Sequence, residues 1–353
     1  MDKINETVKN ISAIDRQLMS LTQERLDNLT KPLGSLGHLE GLAKLVTGIT
    51  GKESPELKNK VIFTLAADHG VTEEGVSAYP KEVTAQMVYN FLAGGAGINV
   101  LAKHVGARVV VADLGVAAEL KPHPNLLIKK VNCGTRNMAK GPAMPRTEAV
   151  RAIESGIEIF EEEFKKGIDI IGTGEMGIGN TTAASAITAS FTKRPAEEVT
   201  GKGAGINEKG LENKIRIVKK SLEINKPDSK DAVDVLSKVG GFEIGGLAGV
   251  ILAAAARKTP VVIDGFISGS AALIACHIEP KVKEYLIAGH CSVERGHKII
   301  LSHLGLTPLL DLNLRLGEGT GAALAIGIVE AAVKILTQMA TFKSAGVSER
   351  SDK

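Results

Sequence analysis

Residues 168–191, IDIIGTGEMGIGNTTAASAITASF, constrain the fold more than any other stretch of this 353-residue chain. The apolar run Ile168–Ile171 suits a short buried β-strand, and the series of small and apolar residues after Asn180 suits a buried helix opened by Asn180, Thr181 and Thr182. Between them Gly172, Gly174, Gly177 and Gly179 are expected to form a loop. Strand, glycine loop and helix in that order form the repeating unit of a parallel sheet. Glycines let backbone amides approach a ligand, and a helix start offers unpaired N–H groups with a partial positive charge. The unit is therefore a seat for phosphate. Glu175 would repel phosphate if it pointed the same way, so it is expected to face another part of a nucleotide-like ligand.

The same alternation extends along the chain. Apolar runs at 61–67, 108–114, 126–131, 260–263 and 285–288 are further strand candidates, near-continuous as in a parallel sheet covered on both faces. Helices are expected around 84–105, 147–166, 180–191, 210–225, 244–258 and 270–276. Residues 1–30 carry Ile4, Val8, Ile11, Ile14, Leu18 and Leu21 at helical spacing. A turn at Pro32 leads to a helix from about Leu36. The carboxyl end is expected to be helical from Gly321 to about Thr341, with 342–353 frayed. The fold class is α/β: a Rossmann-like parallel sheet flanked by helices over 56–304. Residues 1–55 and 305–353, one from each chain end, are expected to pair into a smaller helical domain.

Composition removes whole classes of function. Aromatic residues are 3% of the chain with no Trp, which argues against stacking platforms for single-stranded nucleic acid. A net charge of +3 with scattered lysines argues against a basic nucleic-acid groove. Cys133, Cys276 and Cys291 have neither disulfide pairing nor CxxC spacing, and suit a reducing compartment. The charged amino terminus lacks the apolar run of a signal peptide, and the apolar run near Leu247–Ala256 is too short to span a bilayer. The expectation is a cytoplasmic protein that does not enter the membrane.

Gly172, Gly174 and Gly177 spell GxGxxG after a strand, the dinucleotide fingerprint. The acidic residue wanted about 20 positions on is missing: that neighbourhood is FTKRPAEE, with no following strand that ends in Asp or Glu. Close helix–strand packing is the competing explanation of these glycines. It weakens because TGKGAGI (200–206), GGFEIGG (240–246), DGFISGSAA (264–272) and LGEGTGAALA (316–325) are also glycine-rich openings of helices. In a parallel sheet such openings gather at the carboxyl ends of the strands, so a large backbone-lined pocket is expected there. Glu318, like Glu175, is a carboxylate among glycines. Dipole compensation explains most single acids at a helix start, but Gly317 and Gly319 on either side favour access of a ligand to the side chain. Partly buried, such a Glu would serve as a general base near neutrality. There is no GxSxG, HExxH or GxxxxGK[ST] motif, and no adjacent acidic pair before a Thr/Gly loop of the kind used with pyrophosphate-activated sugars. His69, His290 and His297 lack metal spacing and are expected to be hydrogen-bonded structural histidines.

Ordered blocks over most of the chain resemble one family, the nicotinate-nucleotide–dimethylbenzimidazole phosphoribosyltransferases of the cobalamin lower-ligand pathway. They are LTKPLGSLGHLE (29–40), AADHGVTEEGVSAYPKEVTAQMV (66–88), GGAGINVLA (94–102), NCGTRNMAKGPAM (132–144), GTGEMGIGNTTAASA, GGFEIGGLAG, AGHCSVERGH and LGLTPLLDLNLRLGEGTGAALA. The resemblance implies transfer of ribose 5-phosphate from nicotinate mononucleotide to a benzimidazole, with inversion at the sugar carbon. The leaving pyridinium already carries positive charge, so it departs neutral and needs neither acid nor metal; no cofactor is implied.

By the same resemblance Glu318 matches the base that takes the benzimidazole N–H proton. Glu175 matches a second acid beside an oxocarbenium-like sugar carbon. Tyr79 and Gln86 match the benzimidazole pocket, and Ala78 stands where some relatives carry a small hydroxyl residue. Phosphate and ribose fall on Gly177, Gly179, Asn180, Thr181, Gly203, Gly205 and Ser292. Lys214 is the preferred cation and Lys202 the alternate, each weighed against an ordinary solvated charge. Met176, Asp264 and Leu316 complete the implied substrate-binding set. A homodimer with small-molecule partners only is expected. The rival readings are an NAD-dependent oxidoreductase and a catalytically silent nucleotide- or base-binding sensor.

Overall fold

Strand β1 (Lys60–Ala67) sends Val61, Phe63 and Leu65 into one hydrophobic core, and Ile62 and Ala66 into another. A strand buried on both faces needs helices on both, which is why its sequence is nearly all apolar instead of alternating. The structure, a computed structural model describing residues 1–348, places β1 in the middle of a six-stranded sheet. The other strands are β2 (Ala107–Gly115), β3 (Leu126–Ile128), β4 (Ile170–Met176), β5 (Val261–Ile263) and β6 (Leu286–Ala288). Their order is β3-β2-β1-β4-β5-β6, and every neighbouring pair is parallel. The expected α/β parallel sheet is thus observed, with the order reversing at β1/β4, where open sheets bind ligands at their carboxyl ends.

Helices Arg146–Phe164, Asn180–Thr192, Phe242–Ala256 and Phe266–Ile278 cover one face; His38–Thr50, Gly97–His104 and Thr320–Gln338 cover the other. The first face contains a backbone-to-backbone helix crossing. A Cβ on Gly156 would lie 2.7 Å from the Gly246 carbonyl carbon, and one on Gly249 would lie 2.9 Å from that of Ile153. The GGFEIGG glycines therefore serve packing: Gly245 and Gly246 sit inside a buried helix, and the pocket expected to draw on them does not.

β4 corrects a second expectation. It continues to Met176, so Gly172, Gly174 and Glu175 are strand residues and only Gly177 and Gly179 lie in the loop. A Cβ on Gly172 would lie 3.0 Å from Ala322 Cβ, and one on Gly174 would lie 2.8 Å from the Gly319 amide nitrogen. These glycines let the start of the Thr320–Gln338 helix press against the strand. That 19-residue helix is apolar enough by length and composition to cross a bilayer, but it packs on β4 and β5 as the central helix of its face.

Other differences are local. The amphipathic run 1–30 is two helices, Asp2–Lys9 and Arg16–Asp27, the second capped by the Asp15 carboxylate, which accepts from the Leu18 N–H at 2.8 Å. The helix expected over 84–105 breaks at Gly94 into Val83–Ala93 and Gly97–His104. Helices Ala232–Val239 and Arg295–Leu304 were not expected. The chain ends meet: Leu29 and Thr341 form an antiparallel bridge, and the Thr30 N–H donates to the Ala340 carbonyl at 3.0 Å. Within the segment expected to fray, Phe342–Ala345 forms a helical turn capped by Thr341, while 349–353 lie outside the described residues.

Candidate active site

A cleft of about 670 Å³ opens at the carboxyl edge of the sheet. Its walls come from the segment after β1 (Val76, Tyr79, Met87), the end of β4 and its loop (Glu175 to Thr181), the 202–206 loop, and the segments after β5 and β6. Residues remote in sequence converge because parallel connections return every loop to the same edge.

Asn180 opens the Asn180–Thr192 helix after Gly179, whose φ of +94° suits glycine. Gly179, Asn180 and Thr181 at this helix start line the cleft beside Lys214. Lys214 is 1% exposed and donates to Thr181 Oγ1 at 2.7 Å. It is not a solvated surface charge. Burial pulls its pKa down to about 8, opposed by the charge of Glu294. Lys202, the alternate, is half exposed at the rim and paired with Glu208. The geometry favours Lys214 as the charge beside the helix start.

Glu175 is fully enclosed, and the Asn180 side-chain amide donates to its Oε2. Burial raises its pKa to about 8, and the neighbouring carboxyls Glu243, Asp264 and Glu318 add to the rise. It therefore favours its protonated form near neutral pH. Glu318 has φ +62° between Gly317 (+81°) and Gly319 (+101°), a left-handed conformation costing a side-chain-bearing residue about 1–3 kcal/mol. Its carbonyl accepts from Thr64 Oγ1 at 3.0 Å, and its Oε2 accepts from the Ile98 N–H at 3.0 Å. Burial raises its pKa and the Ile98 N–H opposes the rise.

Dipole compensation does not explain Glu318, because another residue performs it. Asp264 Oδ1 accepts from the N–H groups of Gly321 and Ala322 at 2.7 and 3.0 Å, capping the Thr320–Gln338 helix from a distance. The carboxylate of Glu318 is left to point elsewhere.

Glu318, Glu175, Tyr79, Met176, Gly177, Gly179, Asn180, Thr181, Gly203, Lys214, Ser292 and Leu316 all line the cleft, as does Lys202. The structure places three expected residues elsewhere. Asp264 lies behind the wall, occupied by its helix cap. Gln86 is exposed on the Val83–Ala93 helix and does not line the cleft, although Val83 and Met87 on the same helix do. Gly205 lines an adjoining recess of about 420 Å³. Sequence reasoning missed His290, Glu294 and Arg315, which line the cleft. The first two sit in GHCSVERGH, where a search for metal spacing has no means of flagging a single histidine and a single acid.

Among the described residues no group of three or more His, Cys, Asp or Glu side chains is arranged to hold a metal ion. His69 pairs with Glu243 at 2.6 Å, and His297 Nδ1 accepts from the Ser292 N–H at 3.0 Å. Gly172 and Gly174, buried beneath the Thr320–Gln338 helix, are closed to a pyrophosphate, which removes the support for a dinucleotide fingerprint.

A family model described as phosphoribosyltransferase matches residues 11–347. The chain is 56% identical over 349 residues to a nicotinate-nucleotide–dimethylbenzimidazole phosphoribosyltransferase of Geobacter sulfurreducens, covering 99% of each. The chain belongs to this phosphoribosyltransferase family. A relative of the same description from Desulforudis audaxviator is also 56% identical, over 99% of each chain. The crystal structure of the Thermus thermophilus enzyme superposes with a TM-score of 0.91 at 45% identity, over 96% of this chain and 100% of that one.

Proposed function

We propose that the protein transfers the 5-phosphoribosyl group of nicotinate mononucleotide to 5,6-dimethylbenzimidazole or a related base, giving α-ribazole 5′-phosphate and nicotinate for the nucleotide loop of cobalamin. The observation that carries this reading is the 56% identity over 99% of the chain with relatives bearing that name. The cleft supplies a chemistry consistent with it. Phosphate sits at the start of the Asn180–Thr192 helix, against Gly179 to Thr181, with the Lys214 ammonium beside it. One nitrogen of the benzimidazole attacks the sugar carbon from the face opposite the nicotinate ring. The glycosidic C–N pair returns to the pyridine nitrogen, and the proton on the other benzimidazole nitrogen passes to Glu318. Single displacement inverts β to α without a covalent enzyme intermediate.

Glu318 suits the base because the Ile98 N–H favours its anion while burial keeps it basic. Glu175 suits a different task. Favouring its protonated form near neutral pH, it ionises more readily when a pyridinium or oxocarbenium charge arrives and then stabilises that charge. Asp264 acts indirectly, fixing the helix that follows Glu318. A cytoplasmic homodimer, with the chain ends forming a smaller helical unit, belongs to the same proposal; light scattering on the purified protein checks the dimer.

The test is to mix the protein with nicotinate mononucleotide and 5,6-dimethylbenzimidazole and follow nicotinate by chromatography. Benzimidazole-dependent release with a new ribotide peak is expected. Binding of the mononucleotide without release would favour the silent sensor instead.

A further inference from the structure

The segment 201–206 separates the cleft from the adjoining recess, and Gly203 lines both. Its backbone is gripped from two sides. The Gly203 N–H donates to Glu294 Oε1 at 2.8 Å, and Arg315 Nη1 donates to the Gly203 carbonyl at 3.2 Å. Glu294 comes from the segment after β6, and Arg315 from the loop that ends in Glu318. Gly201 lies so close to the Glu294 carboxyl that a Cβ there would be 2.8 Å from Glu294 Cδ. Gly203, at φ +54°, presses on the expected phosphate seat: a Cβ there would lie 2.9 Å from Thr181 Oγ1 and 3.1 Å from Lys214 Nζ. Only a residue without a side chain fits that wall.

We propose that Glu294 and Arg315 are positioning residues for the phosphoribosyl donor, clamping the Gly203 peptide against Thr181 and Lys214 and so fixing the shape of the phosphate seat. This deepens the functional reading above and rests on it. A segment containing Gly201, Gly203 and Gly205 has many backbone states when released, so loss of either clamp weakens donor binding and leaves the attack at Glu318 largely intact. Glu294 also acts by charge. It is 7% exposed, its Oε2 is buried without a hydrogen-bond partner, and its negative charge favours the ammonium form of Lys214. The other charged groups bordering this part of the cleft are Lys202, neutralised by Glu208, and Arg315; Arg295 faces the recess.

The test varies nicotinate mononucleotide at saturating benzimidazole for Glu294→Ala, Glu294→Gln and Arg315→Met. Glu294→Ala and Arg315→Met are expected to raise KM for the mononucleotide about tenfold or more while kcat stays within about threefold. Glu294→Gln keeps an acceptor for the Gly203 N–H. It is expected to hold KM near the wild-type value at acid pH and to move the alkaline limb of kcat/KM to lower pH, because Lys214 loses its favourable neighbour. Glu175 also titrates near 8, but Asn180, Glu243, Asp264 and Glu318 around it are unchanged in that variant, so the shift belongs to Lys214. Calorimetric titration with inorganic phosphate reads the seat without turnover, and both clamp-breaking variants should bind it more weakly. Arg315 is exposed, so Arg315→Met tests the clamp even where Glu294→Ala fails to fold. Unchanged KM and phosphate affinity in Arg315→Met, or an unmoved alkaline limb in Glu294→Gln, would overturn the proposal. If the wild type binds phosphate but releases no nicotinate, the assigned reaction fails and the phosphate titrations alone decide the clamp.

Discussion

At the end of β4, Glu175 follows Gly174 in regular extended backbone; before the Thr320–Gln338 helix, Glu318 stands between two glycines in left-handed backbone. On paper both are glutamates among glycines opening a helix. In the fold their glycines do unlike work. Gly174 makes room for the peptide that carries Glu318, so the end of β4 is shaped to receive that loop. The carboxyls differ accordingly. Glu175 has the carboxyls of Glu243, Asp264 and Glu318 around it, and burial with these neighbours raises its pKa to about 8. Glu318 has a backbone N–H for its anion. A shared pattern thus yields two carboxyls in unlike surroundings, which the proposed reaction uses differently, Glu318 as base and Glu175 as support for positive charge.

The sharpest way to break this contrast is to remove each carboxylate while keeping its shape. Glu318→Gln should lower kcat by about a thousandfold or more while nicotinate mononucleotide still binds, as expected for loss of a general base. Near-normal turnover would remove Glu318 from the mechanism. Glu175→Gln should cost less, about ten- to a hundredfold in kcat, since its role is electrostatic support. An equal loss in the two variants would erase the division of roles.

Stability against pH sharpens the comparison further. The folded pKa of Glu175 lies above its unfolded value, so its contribution is fully present below about pH 4.5 and is lost as pH rises through about 8. Glu175→Gln should therefore gain in melting temperature relative to wild type between those values, the gap widening with pH. A constant gap would mean that Glu175 is not held protonated.

Gly174→Ala should destabilise the fold by about 1–3 kcal/mol in denaturant titration, because the added methyl meets the Glu318 and Gly319 backbone, with turnover falling as Glu318 is displaced. The smallest effect belongs to Gln86→Ala. With its side chain exposed and not lining the cleft, turnover and KM should stay within about twofold of wild type, as for most surface changes.

The apolar runs at Val61–Ala67, Arg108–Leu114 and elsewhere were enough to locate the six strands, because burial of the central strands on both faces leaves a local record in residue type. The glycine-bounded helix start at Asn180 was legible too, since the positive φ at Gly179 is a local requirement. What local pattern could not separate was a glycine that approaches a ligand from one that approaches another backbone. Gly172, Gly174, Gly245 and Gly246 have the sequence of the first kind and the surroundings of the second. Nor could it show that Asp264, not Glu318, caps the Thr320–Gln338 helix, or that Glu294 and Arg315 meet at Gly203. The sequence by itself determined the parallel α/β sheet and the glycine-bounded helix start at Asn180, because strand burial and helix starts are encoded by neighbours along the chain. Tertiary structure alone decided how buried each charge is and which groups surround it. Proton affinity depends on distance in space, and parallel connections bring together at one sheet edge residues that lie far apart in the chain.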